Sequence, residues 1–250
     1  MSLRSTRAAL LIAVVVCLSF GYAVAGARAQ DPSYRASLPA PEGTAAELDA
    51  QSSATAIVYS QPPSPSGGLL PSSWWQSGDT PYGRYVWDDF TLSSAQTLTE
   101  VRWRGGFDPT KYGSGGPVLD FTIAFHGSIA VGTEPDVVNP PLASYQAGGN
   151  AGQTPAGTLG GIPMYDYSFT LPIPFEAAAG TRYWVQIVAS QGGEPDWGIT
   201  VGTGGNGQHY RKIAAPGRTY FQTAPGDAAF TLLGQAAPAA RVYLPLIQGQ

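Results

Sequence analysis

Two short runs in which apolar and polar residues alternate, Tyr85–Leu92 and Leu98–Arg104, most constrain what this chain can fold into. Tyr, Val, Trp, Phe and Thr dominate both runs, and these residue types suit a pleated, half-buried surface. In the second run Val101 and Trp103 alternate with polar side chains, so one face is buried and the other is solvated. The short polar connection between the runs predicts a hairpin of two paired strands.

The first run contains a conflict, because Asp88 and Asp89 are adjacent and successive side chains of a strand point to opposite faces. Whichever face is buried, one of the two carboxylates points towards the core and needs a partner. The nearest cations in the sequence are Arg84, Arg102 and Arg104. An ion pair with one of them on the same sheet is the favoured interpretation.

A structural calcium ion is the alternative partner for these carboxylates. Calcium takes several oxygen ligands from carboxylates and loop carbonyls, and Asp88, Asp89 and Asp108 are the candidate ligands. An exported domain without disulfides would gain stability from such an ion.

The remainder of the chain repeats the pattern of short alternating runs separated by Gly- and Pro-rich segments. About nine to eleven short strands predict an all-β fold, an antiparallel two-sheet β-sandwich or a barrel. Several connections are long, which favours crossing between two sheets in a jelly-roll-like sandwich. The predicted strands are Ala56–Ser60, Tyr85–Leu92, Leu98–Arg104, Val118–His126, Leu142–Gln146, Tyr165–Leu171, Tyr183–Ser190, Trp197–Val201, Gln208–Ile213, Thr219–Gln222 and Ala229–Gly234. Long loops are predicted over Gln61–Asp79 and Ala147–Pro163, and Pro172 and Pro174 are expected to end a strand at an edge or corner.

The first 29 residues are typical of a secretory signal peptide. Arg4 and Arg7 precede an apolar run and then small residues suited to cleavage. The domain organisation that follows is a disordered lead-in over residues 30–53, a sandwich domain over 54–234, and a linker with a short apolar tail over 235–250. The apolar run of the signal peptide is too short for a membrane anchor. We therefore expect a secreted or cell-surface protein with no membrane span in the mature chain.

Charge and cysteine content exclude several classes of function. The chain has 13 Lys and Arg against 17 Asp and Glu, and loss of Arg4, Arg7 and Arg28 with the signal peptide makes the net charge −7. This balance argues against a nucleic-acid partner and against an anionic membrane surface. The single cysteine, Cys17, leaves with the signal peptide. The mature chain therefore has neither a disulfide nor a cysteine nucleophile.

Several short motifs resemble a group of uncharacterised secreted bacterial β-sandwich domains. The motifs are WDDFTL, TEVRWRGGFD, FTIAFHGS, GTRYWVQIVAS, PDWGITVG and GDAAFTLLG, spread over residues 55–234. Such domains carry a DDF-type first hairpin, a strand with Tyr-Trp, and a last strand of the AF-L-G type. The resemblance implies a secreted or cell-surface sandwich and transfers no catalytic residue.

The residues offer little support for an enzyme. There is no G-x-S-x-G elbow, and the two imidazoles, His126 and His209, are expected at the surface. A glycoside hydrolase needs two carboxylates across a cleft. Glu100 is instead expected to pair with Arg102 in solvent. Hydrolysis therefore ranks third among the functions considered.

Aromatic side chains outside the expected core favour a non-catalytic module that binds a polysaccharide. Sugar rings stack on Trp and Tyr while polar side chains bind the hydroxyls. The candidate ligand-binding residues are Trp74, Trp75, Tyr82, Tyr112 and Trp197. An alternative is that these rings only cover an open end of the sandwich. The competing function is a structural or adhesive envelope protein whose partners are other proteins.

Overall fold

A computed structural model describes residues 55–77, 80–108, 116–194, 196–215 and 217–236. These belong to the compact unit Ala50–Gln250, and the other unit, Met1–Asp49, lies outside the described residues. The expected signal peptide, lead-in and apolar tail, and Tyr112, also lie outside them. The part described contains fifteen strands and no helix, so no helix there is suited to crossing a membrane. The all-β prediction is confirmed.

The strands form two sheets packed against each other. They are β1 Ala56–Gln61, β2 Leu69–Pro71, β3 Ser73–Ser77, β4 Thr80–Thr91, β5 Gln96–Phe107, β6 Val118–His126, β7 Ala143–Gln146, β8 Thr154–Leu159, β9 Ile162–Ala177, β10 Arg182–Gln191, β11 Trp197–Gly202, β12 Gln208–Ala215, β13 Arg218–Pro225, β14 Asp227–Ala228 and β15 Phe230–Ala236. Sheet I has the order β1-β15-β5-β11-β14, with β2 beside β11, β9 beside β5, and β8 beside β9. Sheet II has the order β13-β12-β4-β3-β10-β6-β7.

The chain crosses repeatedly from one sheet to the other, as a sandwich with long connections requires. Strands β4, β6, β10 and β12 lie in sheet II, whereas β5, β9, β11 and β14 lie in sheet I. Among the described strands the pairings are antiparallel except for the short parallel contact of β3 with β10. The predicted antiparallel two-sheet sandwich is therefore confirmed.

The predicted hairpin between β4 and β5 is wrong. The two strands lie in different sheets, and the segment between Thr91 and Gln96 crosses from sheet II to sheet I. Each strand has one apolar face, and the two faces bury against each other instead of lying side by side. Phe90 and Val101 both belong to the single core between the sheets.

Two predicted loops contain strands. The segment Gln61–Asp79 includes β2 and β3, and Ala147–Pro163 includes β8. These strands are short and rich in Pro, Gly and Ser, so their local composition resembles that of loops, and pairing with β11, β4 and β9 holds them in place. The strand predicted to end at Pro172 continues to Ala177 through a register shift opposite Leu98 and Glu100. This bulge accommodates the prolines without ladder hydrogen bonds.

The core consists of aromatic and aliphatic side chains from the inner faces of both sheets. Trp103, Phe121, Tyr167 and Trp197 form a cluster of ring contacts near its centre, with centroids 4.9–6.0 Å apart. The inner faces of β5 and β6 follow the predicted alternation, because Val101, Phe121 and other inward residues are fully buried.

Candidate functional site

Trp74 and Trp75 lie in β3 and not in a loop, so they point to opposite faces of sheet II. Ser73, the neighbour of Trp74, points inward and donates a hydrogen bond to the carbonyl oxygen of Trp197 at 2.8 Å. Trp75 therefore shares the inner side, where its ring stacks on Tyr82 with centroids 5.6 Å apart. Trp74 lies on the outer side. The structure does not bring the predicted rings together as one platform.

Trp197 is a core residue, and its prediction as a ligand-binding residue is wrong. Its side chain is 0% exposed and contacts Phe121 and Tyr167 edge to face. Its indole N–H donates to the Tyr167 hydroxyl at 3.3 Å. The ring fits there because it lies against Gly105 of β5, which has no side chain. No ligand reaches such a position without unfolding the sandwich.

Asp88 is the carboxylate that points into the core, and backbone groups are its partners. The side chain is 1% exposed. Its Oδ1 accepts a hydrogen bond from the Asp89 N–H at 2.8 Å, and its Oδ2 accepts one from the Ala228 N–H. With its amide in the orientation that satisfies both the nitrogen and the oxygen, Gln61 also donates to Oδ2 at 2.8 Å. Burial raises the pKa of Asp88 to about 8 despite these donors.

Asp89 points to the outer side of sheet II and pairs with an arginine that the sequence did not indicate. Its Oδ2 lies 3.3 Å from Arg182 Nε, and its Oδ1 accepts a hydrogen bond from the Asn206 amide. Two of the three arginines predicted as partners, Arg102 and Arg104, lie on β5 in sheet I. The third, Arg84, lies on β4 itself, five residues before Asp89 and therefore on the opposite face of the strand. The ion pair was predicted for the carboxylate that points into the core, and that prediction is wrong, because this carboxylate is Asp88 and its partners are backbone N–H groups.

The predicted calcium ligands do not form a cation site. Asp108 follows β5, and its N–H donates to the Asp196 carbonyl oxygen at 2.9 Å. Asp88 and Asp89 lie on β4 and direct their oxygens at hydrogen-bond donors. Within the described ranges, no group of three or more His, Cys, Asp and Glu side chains is arranged to hold a metal ion.

Both histidines are buried, so their predicted surface positions are wrong. His126 ends β6 and is 7% exposed, and His209 lies in β12 and is 3% exposed. Each ring contacts a backbone carbonyl through Nδ1, His126 at Asp136 and His209 at Gly226. Burial lowers the pKa of both imidazoles and favours their neutral form. Both side chains serve packing between strands and loops.

Three of the four glutamates considered for glycoside hydrolysis, Glu100, Glu134 and Glu176, have other contacts. Arg102 Nε donates to Glu100 at 2.6 Å, which confirms the predicted solvent-exposed pair. Glu176 accepts a hydrogen bond from the Thr97 hydroxyl at 2.8 Å. Glu134 is hydrogen bonded to Tyr210. These contacts give no indication of two facing carboxylates.

The outer face of sheet II carries an aromatic surface that is half covered. Trp87, Trp184 and Tyr210 form a small buried cluster on this face. The segment after β6 covers them, since Val137 packs against the cluster and Ser128 accepts a hydrogen bond from the Trp184 indole at 2.9 Å.

The aromatic surface continues across three neighbouring strands with Phe221, Lys212 and the half-buried Tyr85, and we call these three residues the aromatic row. Lys212 is paired in register with both rings. Its Nζ lies 5.1 Å from the Tyr85 ring centroid and 5.7 Å from that of Phe221. Phe221 is 41% exposed. Alternation within β12 and β13 places these side chains on one face, but the sequence does not say which strands are neighbours, so the row was missed.

The outer face of sheet I carries a cleft of about 370 Å³ whose outward side chains are polar or charged. Six outward side chains line it, namely Arg102, Arg104, Thr154, Asp166, Ser168 and Thr231. The cleft is bounded by the chain after β1 at Pro63 and by Gly152 before β8. Its volume falls within the range of small-ligand pockets, roughly 300–1,000 Å³. The sequence did not indicate this cleft, because its residues come from five separate segments.

Comparison with curated proteins finds no match. A family described as a domain of unknown function, DUF7901, matches residues 57–209. The matched segment runs from β1 into β12 and contains most of the core, Asp88 and the arginines of the cleft. Because this match spans well over half of the chain, the protein belongs to the DUF7901 family.

Proposed function

We propose that the protein is a non-catalytic, exported module of the cell surface or surroundings that binds carbohydrate through the aromatic row. The main supporting observation is that Phe221, Lys212 and Tyr85 lie side by side on β13, β12 and β4 and that Phe221 is exposed. Sugar C–H faces stack on exposed rings, and an ammonium group between two rings donates hydrogen bonds to hydroxyls.

The rigidity of this surface supports the proposal. Lys212 has cation–π contacts with both rings, which orient its side chain before a ligand arrives. Phe221 also stacks on Tyr210, with centroids 6.2 Å apart, and Tyr210 belongs to the covered cluster behind the row. A ligand therefore meets rings that are already held in place, which lowers the entropic cost of binding.

Affinity electrophoresis in gels cast with soluble polysaccharides tests the proposal. We expect at least one neutral polymer to retard the protein, and Phe221→Ala to abolish the retardation. Tyr220→Ala is the matched control, because Tyr220 is 45% exposed on the same strand but its side chain points to the opposite face. Equal retardation of the wild type and Phe221→Ala, or no retardation by any polymer, would contradict carbohydrate binding by the row.

A structural or adhesive role is the second candidate, and it is favoured by the free edge of sheet II. Strand β13 has eight residues, pairs with β12 without a register shift and has no strand on its other side among the described residues. An open edge of this length can accept a strand from another chain. Sedimentation velocity tests this role, since concentration-dependent association without polysaccharide binding would favour it.

A further inference from the structure

We infer that the cleft on sheet I is a separate binding site for an acidic saccharide, one that carries a carboxylate or a comparable anionic group beside its hydroxyls. The cleft and the aromatic row lie on outer faces of different sheets and share no residue. This inference therefore goes beyond the proposed function, and each site can be tested without changing the other.

The floor of the cleft is a grid of six side chains in two cross-strand rows. In the first row Arg102 is paired with Thr231 of β15 on one side and with Ser168 of β9 on the other. In the second row Arg104 is paired with Asp166 of β9, which is paired in turn with Thr154 of β8. Residues two apart on a strand share a face, so the two rows form one continuous surface.

The arginines of the grid are held in position but retain unused donors. Arg104 binds Asp166 through two hydrogen bonds, Nε to Oδ1 at 2.6 Å and Nη2 to Oδ2 at 2.9 Å. Arg102 donates through Nε to Glu100 at 2.6 Å. A guanidinium has five N–H donors. Within the described part of the chain both terminal nitrogens of Arg102 and Nη1 of Arg104 have no hydrogen-bond partner.

This arrangement matches an anionic group. The free end of the Arg102 guanidinium presents two parallel N–H groups, the fork that binds a carboxylate with two hydrogen bonds. Its side chain is 51% exposed, so a ligand reaches it without a rearrangement. Glu100 pairs with Arg102 and Asp166 pairs with Arg104, so the charges at the grid balance, and it is the unused N–H donors of Arg102 that an anionic group would bind.

The hydroxyl groups around the arginines favour a saccharide over an acidic peptide. Ser168, Thr154 and Thr231 contribute one hydroxyl each, and each hydroxyl both donates and accepts hydrogen bonds. Thr231 is already oriented by a 2.9 Å hydrogen bond with Ser60. The side chains that project outward in the grid are polar or charged, whereas the aromatic residues of the lining, Trp103, Tyr167 and Phe230, belong to the core behind it. Sugar hydroxyls suit this lining.

Isothermal titration of the purified protein at low salt tests the inference with matched probes. The probes are a galacturonic acid trimer, its methyl ester, a sulfated maltotriose and a glutamate hexamer. We expect the trimer to bind and the ester, which has the same size without charge, to bind at least tenfold more weakly. Affinity for the trimer should fall as sodium chloride is raised, because exposed charges are screened.

Arg102→Gln should weaken trimer binding by roughly tenfold or more, because a hydrogen bond between charged groups contributes more than a neutral one. Arg218→Gln is the matched control, since it removes the same charge from an exposed position on sheet II. Arg102 is largely exposed, so we expect its variant to fold, and circular dichroism checks that. Ser168→Ala should weaken binding of the galacturonic acid trimer. It should leave the affinity for sodium sulfate, which binds more weakly than the trimer, unchanged.

Binding of sulfated maltotriose that Arg102→Gln weakens would also support an acidic-saccharide site, with sulfate as the anionic group. The inference is overturned by no binding of either acidic saccharide, by equal binding of trimer and ester, or by glutamate hexamer that binds as tightly as the trimer. It is also overturned if Arg102→Gln binds as the wild type does. Phe221→Ala should bind the trimer normally, which separates this site from the aromatic row.

Discussion

Asp88 on one sheet and Ala228 on the other are joined by a hydrogen bond inside the sandwich, from the Ala228 N–H to the buried carboxylate. Gln61 donates to the same oxygen from β1. The aspartate thus ties β4 of sheet II to β14 and β1 of sheet I. A buried polar group of this kind stabilises a fold only while its partners are present.

Asp88→Ala should lower the free energy of unfolding by about 2–4 kcal/mol, because it leaves the Ala228 N–H and the Gln61 amide buried without an acceptor. Urea unfolding followed by tryptophan fluorescence measures this change. Asp120→Ala is the control, since Asp120 is only half-buried and accepts a hydrogen bond from the Gly148 N–H at 2.7 Å near solvent. An equal effect of both substitutions would contradict a special role for Asp88.

Stability should fall as pH rises from 7 to about 8, because the pKa of Asp88 is raised to about 8 in the folded protein from 3.8. Between these two values the folded state holds a proton that the unfolded state has released, so the free energy of unfolding decreases with pH. Above about 8 the contribution is fully lost, and the slope should disappear.

Asp88→Asn isolates this effect, because the amide does not titrate. The lowered pKa values of His126 and His209 act in the opposite direction, but only below about 6.5, where the unfolded imidazoles take up protons. Denaturant midpoints at pH 7.0, 7.5, 8.0 and 9.0 therefore report on Asp88. A wild-type profile as flat as that of Asp88→Asn would contradict its high pKa.

Gly105→Ala should destabilise the protein by about 1–3 kcal/mol through overpacking. An added Cβ would clash with the Trp197 ring and lie 2.6 Å from the Gly198 carbonyl oxygen, neither of which can move freely in the core. Gly68→Ala is the matched control, since a Cβ there meets nothing within 4 Å. In thermal unfolding the midpoint temperature of Gly105→Ala should lie several degrees below that of Gly68→Ala.

Trp197→Phe should lower stability by about 1–3 kcal/mol and leave polysaccharide retardation unchanged where the protein is folded. The physical reason is that Trp197 fills the core and does not reach solvent. Thermal unfolding and affinity electrophoresis on the same samples provide both readouts. Loss of retardation by a Trp197→Phe variant of unchanged stability would contradict this assignment and indicate that Trp197 takes part in ligand binding.

Lys212→Gln should weaken binding of a retained neutral polysaccharide by about two- to fivefold, as expected for the loss of an exposed cation–π contact of about 0.5–1 kcal/mol. The substitution removes the charge between Tyr85 and Phe221 while keeping a hydrogen-bond donor. Concentration-dependent gel retardation gives the affinity, and Arg218→Gln controls for net charge. Stronger binding by Lys212→Gln would show that the lysine blocks the rings.

The sequence by itself determined the class of fold and most of its strands. Alternation over Val118–His126 and Tyr183–Ser190 predicts β6 and β10 because a strand with one buried face needs that pattern wherever it lies. The same alternation places Trp103 in the core. The position of a strand and the choice of its buried face depend on neighbouring residues in the sequence, and the sequence therefore predicts them.

Only the tertiary structure decided which strands are neighbours, and the sites depend on that. The side chains of Asp88 and Asp89 separate to two faces in either arrangement, but their partners are Ala228 and Arg182 because β4 and β5 lie in different sheets. The row and the cleft join residues from separate strands that pair at long range. Hydrophobic periodicity specifies which side of a strand is buried and carries no information about the strand beside it, and for that reason both surfaces emerged only with the fold.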